Sequence, residues 1–191
     1  MVTVDGWVAA FLDRIEDGHE ELTRLDRLAG DGDFGDNLRR AATGARHAMI
    51  AGAGGFAALV TAFRATGGTS GPLFGLWFRA FARQVSDPVQ AGDVAEAARR
   101  GLDAIVSAAG AAVGDNTMVD AMAPAVLSFD SGGDLDASLR RAARESAAGA
   151  ESTRELLGRR GRSSYVGEHA RGVVDPGALA VAWFFSAAVP E

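Results

Sequence analysis

Apolar residues return every three or four positions along almost the whole chain, and no stretch keeps the period of two that a strand requires. That regularity confines the fold to packed helices. Val4, Trp7, Val8, Phe11, Leu12 and Ile15 open a first helix that continues through Leu22 and Leu25. Further apolar stripes run over 38–49, 56–63, 73–85, 94–105, 118–129, 135–157 and 176–185. Glycine-rich breaks separate them: AGAGG at 51–55, TGGTSGP at 66–72, VGDNT at 113–117 and DSGGD at 130–134. Pro72 suits the first position of its helix, Asp93 suits a cap, and Pro124 predicts a kink. Asp175 and Pro176 read as N-cap and first residue of the last helix. Eight segments with mostly short connections predict an all-α fold of antiparallel, up-and-down helices in a single domain, residues 1–191. One long irregular stretch, GRRGRSSYVGEHARGV at 158–173, has the length of a functional loop.

Composition sharpens what such a chain can do. Much of the 48% hydrophobic content is alanine, which favours close helix packing. The absence of cysteine removes disulfides and thiolate chemistry. All 19 basic residues are arginine. Without lysine there is no P-loop, no strand lysine on phosphates and no Schiff base, pyridoxal phosphate included. A net charge of −6 argues against nucleic acid as a partner. No apolar run approaches the roughly 18 residues of a membrane helix, and the N-terminus turns acidic too early for a signal peptide. The expectation is a cytoplasmic protein with no membrane contact.

The chemistry concentrates in LDRLAGDGDFGDNL, residues 25–38. Asp26, Asp31 and Asp33 meet at a glycine-rich turn, with Arg24, Arg27 and Arg39 as the basic neighbours. Hard divalent cations take oxygen ligands, and Mg²⁺ typically combines one or two carboxylates with phosphate oxygens. The same residues also read as a solvated turn with an N-cap for the next helix. An EF-hand fails, because Ala42 stands where its glutamate belongs. The GxGxxG spelled by Gly30, Gly32 and Gly35 follows no strand. GGTSGP at 67–72 offers open N–H groups, two hydroxyls and a helix start, either an anion site or a plain turn. GDNTM at 114–118 and DPG at 175–177 are two more polar helix starts, and Arg159, Arg160 and Arg162 lie in the long loop. An even number of helices separates these connections, so an up-and-down array brings them to one rim. His19 and His47 read as solvated, His169 as a loop residue near any ligand, and Trp7, Trp77 and Trp183 as core.

Four motifs then agree, in order and spacing, with one family. LDRLAGDGDFGDNL, GGTSGPLFG (67–75), GDNTMVDAMAPA (114–125) and GRSSYVGEHARGVVDPGA (161–178) resemble the nucleotide-binding L subunit of dihydroxyacetone kinases over essentially the whole chain. The resemblance implies a barrel of eight antiparallel helices. It implies that Asp26, Asp31 and Asp33 hold two Mg²⁺ ions bridging the phosphates of ADP or ATP. Gly35, Asn37, Thr69 and Ser70 would contact those phosphates, and Met118, Arg162, Asp175, Pro176 and Gly177 would complete the pocket. It further implies a phosphotransferase subunit that serves dihydroxyacetone or a similar small ketose held on a separate K-type subunit. The donor would be ATP, or ADP recharged by a phosphocarrier of the phosphotransferase system. Two positions depart from the family pattern: Phe34 stands where histidine is usual and Asn116 where lysine is usual. They leave a second function open, a non-catalytic ADP–Mg²⁺ sensor that docks on a transcription regulator or another partner.

Overall fold

The structure, a computed structural model, describes residues 1–129, 133–158 and 171–189. Among the described residues the chain forms nine α-helices and one 3-10 turn, with no strand. They are α1 (Val4–Asp17), α2 (His19–Ala29), α3 (Phe34–Ile50), α4 (Gly55–Arg64), α5 (Ser70–Gln84), α6 (Ala91–Ala109), α7 (Val119–Leu127), α8 (Leu135–Ser152) and α9 (Pro176–Ala187), with the 3-10 turn at Thr153–Glu155. Each helix from α3 to α9 packs on the next, and α1 with α2 closes the ring between α9 and α3. The predicted all-α, up-and-down architecture is therefore present, with the α1–α2 pair filling one of eight positions.

The first helix is not continuous, as its apolar periodicity predicts, but breaks at Gly18. Glycine is required at this break: a β-carbon at residue 18 would run into the indole of Trp183 on α9. Only glycine lets the two segments pass this close. Three boundaries also differ from expectation. Helix α5 begins at Ser70, so Pro72 sits third in the helix; a missing N–H is harmless anywhere in that first turn. Gln90, not Asp93, occupies the N-cap of α6, with Asp93 inside its first turn. The seventh segment ends as an α-helix at Ser152 and finishes in the 3-10 turn.

Helix α9 is apolar nearly all round and carries the centre of the core. The Phe184 ring lies 4.7 Å from Trp7, 4.8 Å from Trp77, 5.0 Å from Phe81 and 5.4 Å from Phe11. Trp7 Nε1 donates to the Phe184 carbonyl at 2.7 Å, which satisfies an indole that α1 drives into the interior. Trp7, Trp77 and Trp183 are all buried, as their spacing predicts. At the opposite end from the site, the Asp5 carboxylate accepts the Gly55 N–H at 2.8 Å and ties α1 to the start of α4. No helix among the described residues is long and apolar enough to cross a membrane.

Phe184→Ala should lower the unfolding free energy by about 3–5 kcal/mol in urea titrations, since it empties the middle of the aromatic cluster. Ile50→Ala, at a position 84% exposed, should change it by no more than about 0.5 kcal/mol.

Candidate functional site

Antiparallel alternation places the N-termini of α3, α5, α7 and α9 at one end of the ring, beside the C-terminal ends of α2 and α6. A cavity of about 490 Å³ opens there. Of the residues singled out from sequence, its wall contains Asp26, Asp31, Asp33, Asn37, Thr69, Ser70, Met118, Asp175, Pro176 and Gly177. Gly35 is not in that wall: it faces α2, where an added β-carbon would strike Thr23 Oγ1 and come within 2.7 Å of the His19 carbonyl. Its lack of a side chain lets α3 lie on α2. Arg159, Arg160, Arg162 and His169 lie outside the described residues.

One end of the cavity is acidic. Oxygens of Asp26, Asp31 and Asp33 fall within 4.8 Å of one another, so the three carboxylates can share a cation. Their local roles differ. Phe34 N–H, at the start of α3, donates to Asp26 Oδ2 at 3.0 Å, so α3 is capped from the preceding helix. Asp33 occupies the N-cap position itself, yet its side chain makes no cap hydrogen bond. Asp33 therefore does not do the structural work that its position offers. Burial pushes the Asp26 carboxyl above its ordinary value and the Asp31 and Asp33 charges add to the rise, while the Phe34 N–H opposes it. Two of the basic neighbours are engaged elsewhere: Arg24 pairs with Glu21 at 2.8 Å, and Arg39 lies 3.6 Å from Asp36.

Facing the acids is the turn before α5. Its N-cap, Thr69, makes no side-chain cap bond, so among the described residues the first N–H groups of α5 have no side-chain cap, and Thr69 and Ser70 border the cavity. An uncapped helix N-terminus with flanking hydroxyls is a site for an anion. Helix α9 is different. Asp175 Oδ1 accepts the Ala178 N–H at 2.7 Å, confirming the predicted N-cap. Its own N–H donates to the buried Thr153 Oγ1 at 2.9 Å, which anchors α9 to the end of α8. Gly172 and Arg154 reinforce this joint with two bonds of 2.9 Å. Burial pushes the Asp175 carboxyl up to about 7, against the Ala178 N–H, and Asp120 and Asp26 contribute further repulsion.

The 113–117 connection is stapled by Asp120, whose carboxylate accepts Gly114 N–H at 2.5 Å and Thr117 N–H at 2.8 Å. Asn116 there is buried at φ +61°, a left-handed conformation that asparagine tolerates, and its Oδ1 has no hydrogen-bond partner among the described residues. The opposite end of the cavity is apolar, with Leu73, Phe74, Ile105, Ala108, Ala109 and Val119 in the wall. The end of α6 was invisible to sequence reasoning because alanines and an isoleucine carry no chemical signal; only packing turns them into a wall. Phe34 joins that wall, its ring 6.4 Å from Phe74. His19 also differs from expectation. It is largely covered, with Nε2 2.7 Å from Asp36 Oδ1, whereas His47 is exposed as predicted.

A cavity with carboxylates and an open helix N-terminus at one end and an apolar wall at the other suits a metal-bound phosphate ester with a flat, apolar group. Comparison with known proteins agrees. The sequence matches the DAK2 domain over residues 28–190. It is 40% identical to L-erythrulose 1-kinase of Mycolicibacterium smegmatis, across 90% of this chain and 32% of that protein. It is 30% identical to the ADP-binding subunit DhaL of the PTS-dependent dihydroxyacetone kinase of Lactococcus lactis, across 97% of this chain and 96% of that subunit. The crystal structure of the dihydroxyacetone kinase from C. freundii in complex with AMP-PNP and Mg²⁺ superposes with a TM-score of 0.75 at 30% identity, covering 96% of this chain and 33% of that one. The chain thus spans about a third of the mycobacterial and C. freundii kinases and nearly the full length of the lactococcal subunit. It belongs to the DAK2-domain family, alongside the ADP-binding subunits of dihydroxyacetone kinase.

Proposed function

We propose that the chain, acting as one domain over residues 1–191, is the nucleotide-holding subunit of a small-ketose kinase of the cytoplasm. The observation that carries this reading is Asp33: an N-cap carboxylate that makes no cap bond, within reach of Asp26 and Asp31 and lining the same cavity as an open helix N-terminus. Asp26, Asp31 and Asp33 would hold Mg²⁺, two ions in this reading. When bound, Mg²⁺ neutralises phosphate charge and holds the transferring group in line.

The chain's own residues do the rest. The α5 N–H groups with Thr69 and Ser70 take the phosphates, and Asn37 adds amide donors. Met118 and the Asp175–Pro176–Gly177 turn border the apolar end, where Ile105 and the α6 alanines exclude water from a base. Arg162 is assigned to closing over the phosphates on the resemblance alone. No side chain here is asked to form a covalent intermediate. The acceptor, dihydroxyacetone or a four-carbon ketose such as the one in the mycobacterial relative's name, sits on a K-type partner. The donor is ATP, or ADP recharged from phosphoenolpyruvate through a phosphocarrier.

Purified chain plus a K-type subunit, donor and dihydroxyacetone should release triose phosphate in a coupled assay, and neither protein should do so alone. Absence of turnover with several K-type partners and with both donors would overturn the kinase reading. Phe34 favours a second reading, since its ring packs on Phe74 and donates no hydrogen bond to a phosphate. Mg²⁺–ADP binding without turnover by any partner, together with a co-purifying transcription regulator, would mark the chain as a sensor.

Asp33→Asn should weaken Mg²⁺-dependent ADP binding at least tenfold, roughly 1.4 kcal/mol, in calorimetry. The metal-free variant should be as stable as the parent or slightly more so, because a like-charge repulsion is relieved. If the variant unfolds while ADP affinity per folded molecule is unchanged, the cluster is structural.

Asp175 gives a pH signature in the metal-free protein. Its folded pKa of about 7 lies above its unfolded value near 3.8, so the folded state binds the extra proton. Its contribution is full below about pH 4 and is lost as pH rises through about 7. Asp175→Asn keeps an N-cap, so urea titrations should show a flatter profile between about pH 5 and 8 and greater stability than the parent near pH 8. An unchanged slope would contradict this.

A further inference from the structure

Asn37 and Asn116 are the two side-chain amides in the cavity wall among the described residues; Asn37 is the one beside the glycine turn before α5, and an amide is ambiguous. One end donates, the other accepts, and rotation by half a turn exchanges them with little cost in an isolated side chain. The carboxylates of Asp26, Asp31 and Asp33 and the phosphate oxygens this end would receive are acceptors, so an Asn37 donor would add to those of Thr69, Ser70 and the α5 N–H groups. An Asn37 turned with its carbonyl inward would repel the ligand.

Arg40 removes the ambiguity. It lies one turn further along α3, with Nη1 donating to Asn37 Oδ1 at 2.9 Å. A guanidinium has no acceptor, so it can bond only to the oxygen and never to the Nδ2 end. With Oδ1 held outward, Nδ2 lies against the glycine turn before α5, 3.6 Å from where a β-carbon would stand on Gly68. Arg40 itself is exposed and lines no part of the cavity.

We infer that Arg40 is a positioning residue: its guanidinium locks the Asn37 amide with both Nδ2 hydrogens turned to the phosphate end of the cavity. The inference rests on the nucleotide-holding role proposed above and deepens it. Arg40 acts through Asn37, not by touching the ligand. The distinction has a measurable form, because a residue acting through another loses its effect when that other is removed.

The experiment is a double-mutant cycle on the full chain, with Mg²⁺–ADP affinity read by calorimetry for the parent, Arg40→Met, Asn37→Ala and the double variant. Arg40→Met should weaken binding roughly tenfold, the scale of one charge-assisted hydrogen bond made or lost. In the Asn37→Ala background the same change should alter affinity by less than about twofold. Arg40→Lys, which still donates, should restore most of the loss. Arg39→Met removes the same charge one residue away and should change affinity by less than about threefold if the effect is orientation and not field. Equal losses from Arg40→Met in both backgrounds, or an equal loss from Arg39→Met, would overturn the inference while leaving the nucleotide reading intact. No Mg²⁺–ADP binding by the parent would instead overturn the nucleotide reading, and this inference with it.

Discussion

Strict up-and-down alternation brings four helix N-termini, those of α3, α5, α7 and α9, to one end of the ring. Each carries a partial positive charge and N–H groups without intrahelical partners. That end of the molecule must therefore be supplied with acceptors, and the chain supplies them unevenly. Asp26 serves α3 from the neighbouring helix and Asp175 serves α9 from its own N-cap. Asp120 draws in the N–H groups of the turn before α7. The start of α5 is given no side-chain cap. Beside the cavity, the uncapped α5 terminus with the Thr69 and Ser70 hydroxyls has a built preference for an external anion.

The acids that serve those termini create the second requirement. Asp26 and Asp175 are both raised above their ordinary values, chiefly by burial, and the Asp26 charge adds to the rise at Asp175. Asp33 adds charge without making a cap bond to α3, and Asp31 adds a further charge beside Asp26. Bringing phosphates to the α5 terminus beside these carboxylates is unfavourable unless a cation comes with them. Cation and anion thus each make the other's site tolerable, a coupling between two ligands of the kind that linkage makes reciprocal.

Much of this was legible before any coordinates. The Asp175–Pro176 start of α9 has local causes and local spelling, so it reads directly from the chain. The three-acid turn and the GGTSGP turn likewise carry their chemistry in adjacent residues, and counting helices was enough to bring them to one rim. What sequence reasoning missed is tertiary. Gly18, where the first helix breaks, has no room for a side chain because Trp183 arrives from the far end of the chain, and no window around residue 18 contains that fact. Asp33 reads as the cap of α3, yet Asp26, seven residues earlier, takes the bond. The need for glycine at Gly35 is likewise tertiary, since an added β-carbon would strike Thr23 on α2. The apolar end of the cavity draws on Ile105 and two alanines that look like any helix interior.

The central claim is that the carboxylate cluster and the α5 terminus form one site for a cation and a phosphate together. The most direct measurement is ADP affinity by calorimetry with Mg²⁺ present and with the metal removed by chelator. The account predicts that removing Mg²⁺ weakens ADP binding by at least roughly a hundredfold, a coupling near 3 kcal/mol. Equal ADP affinity with and without the divalent cation would contradict it.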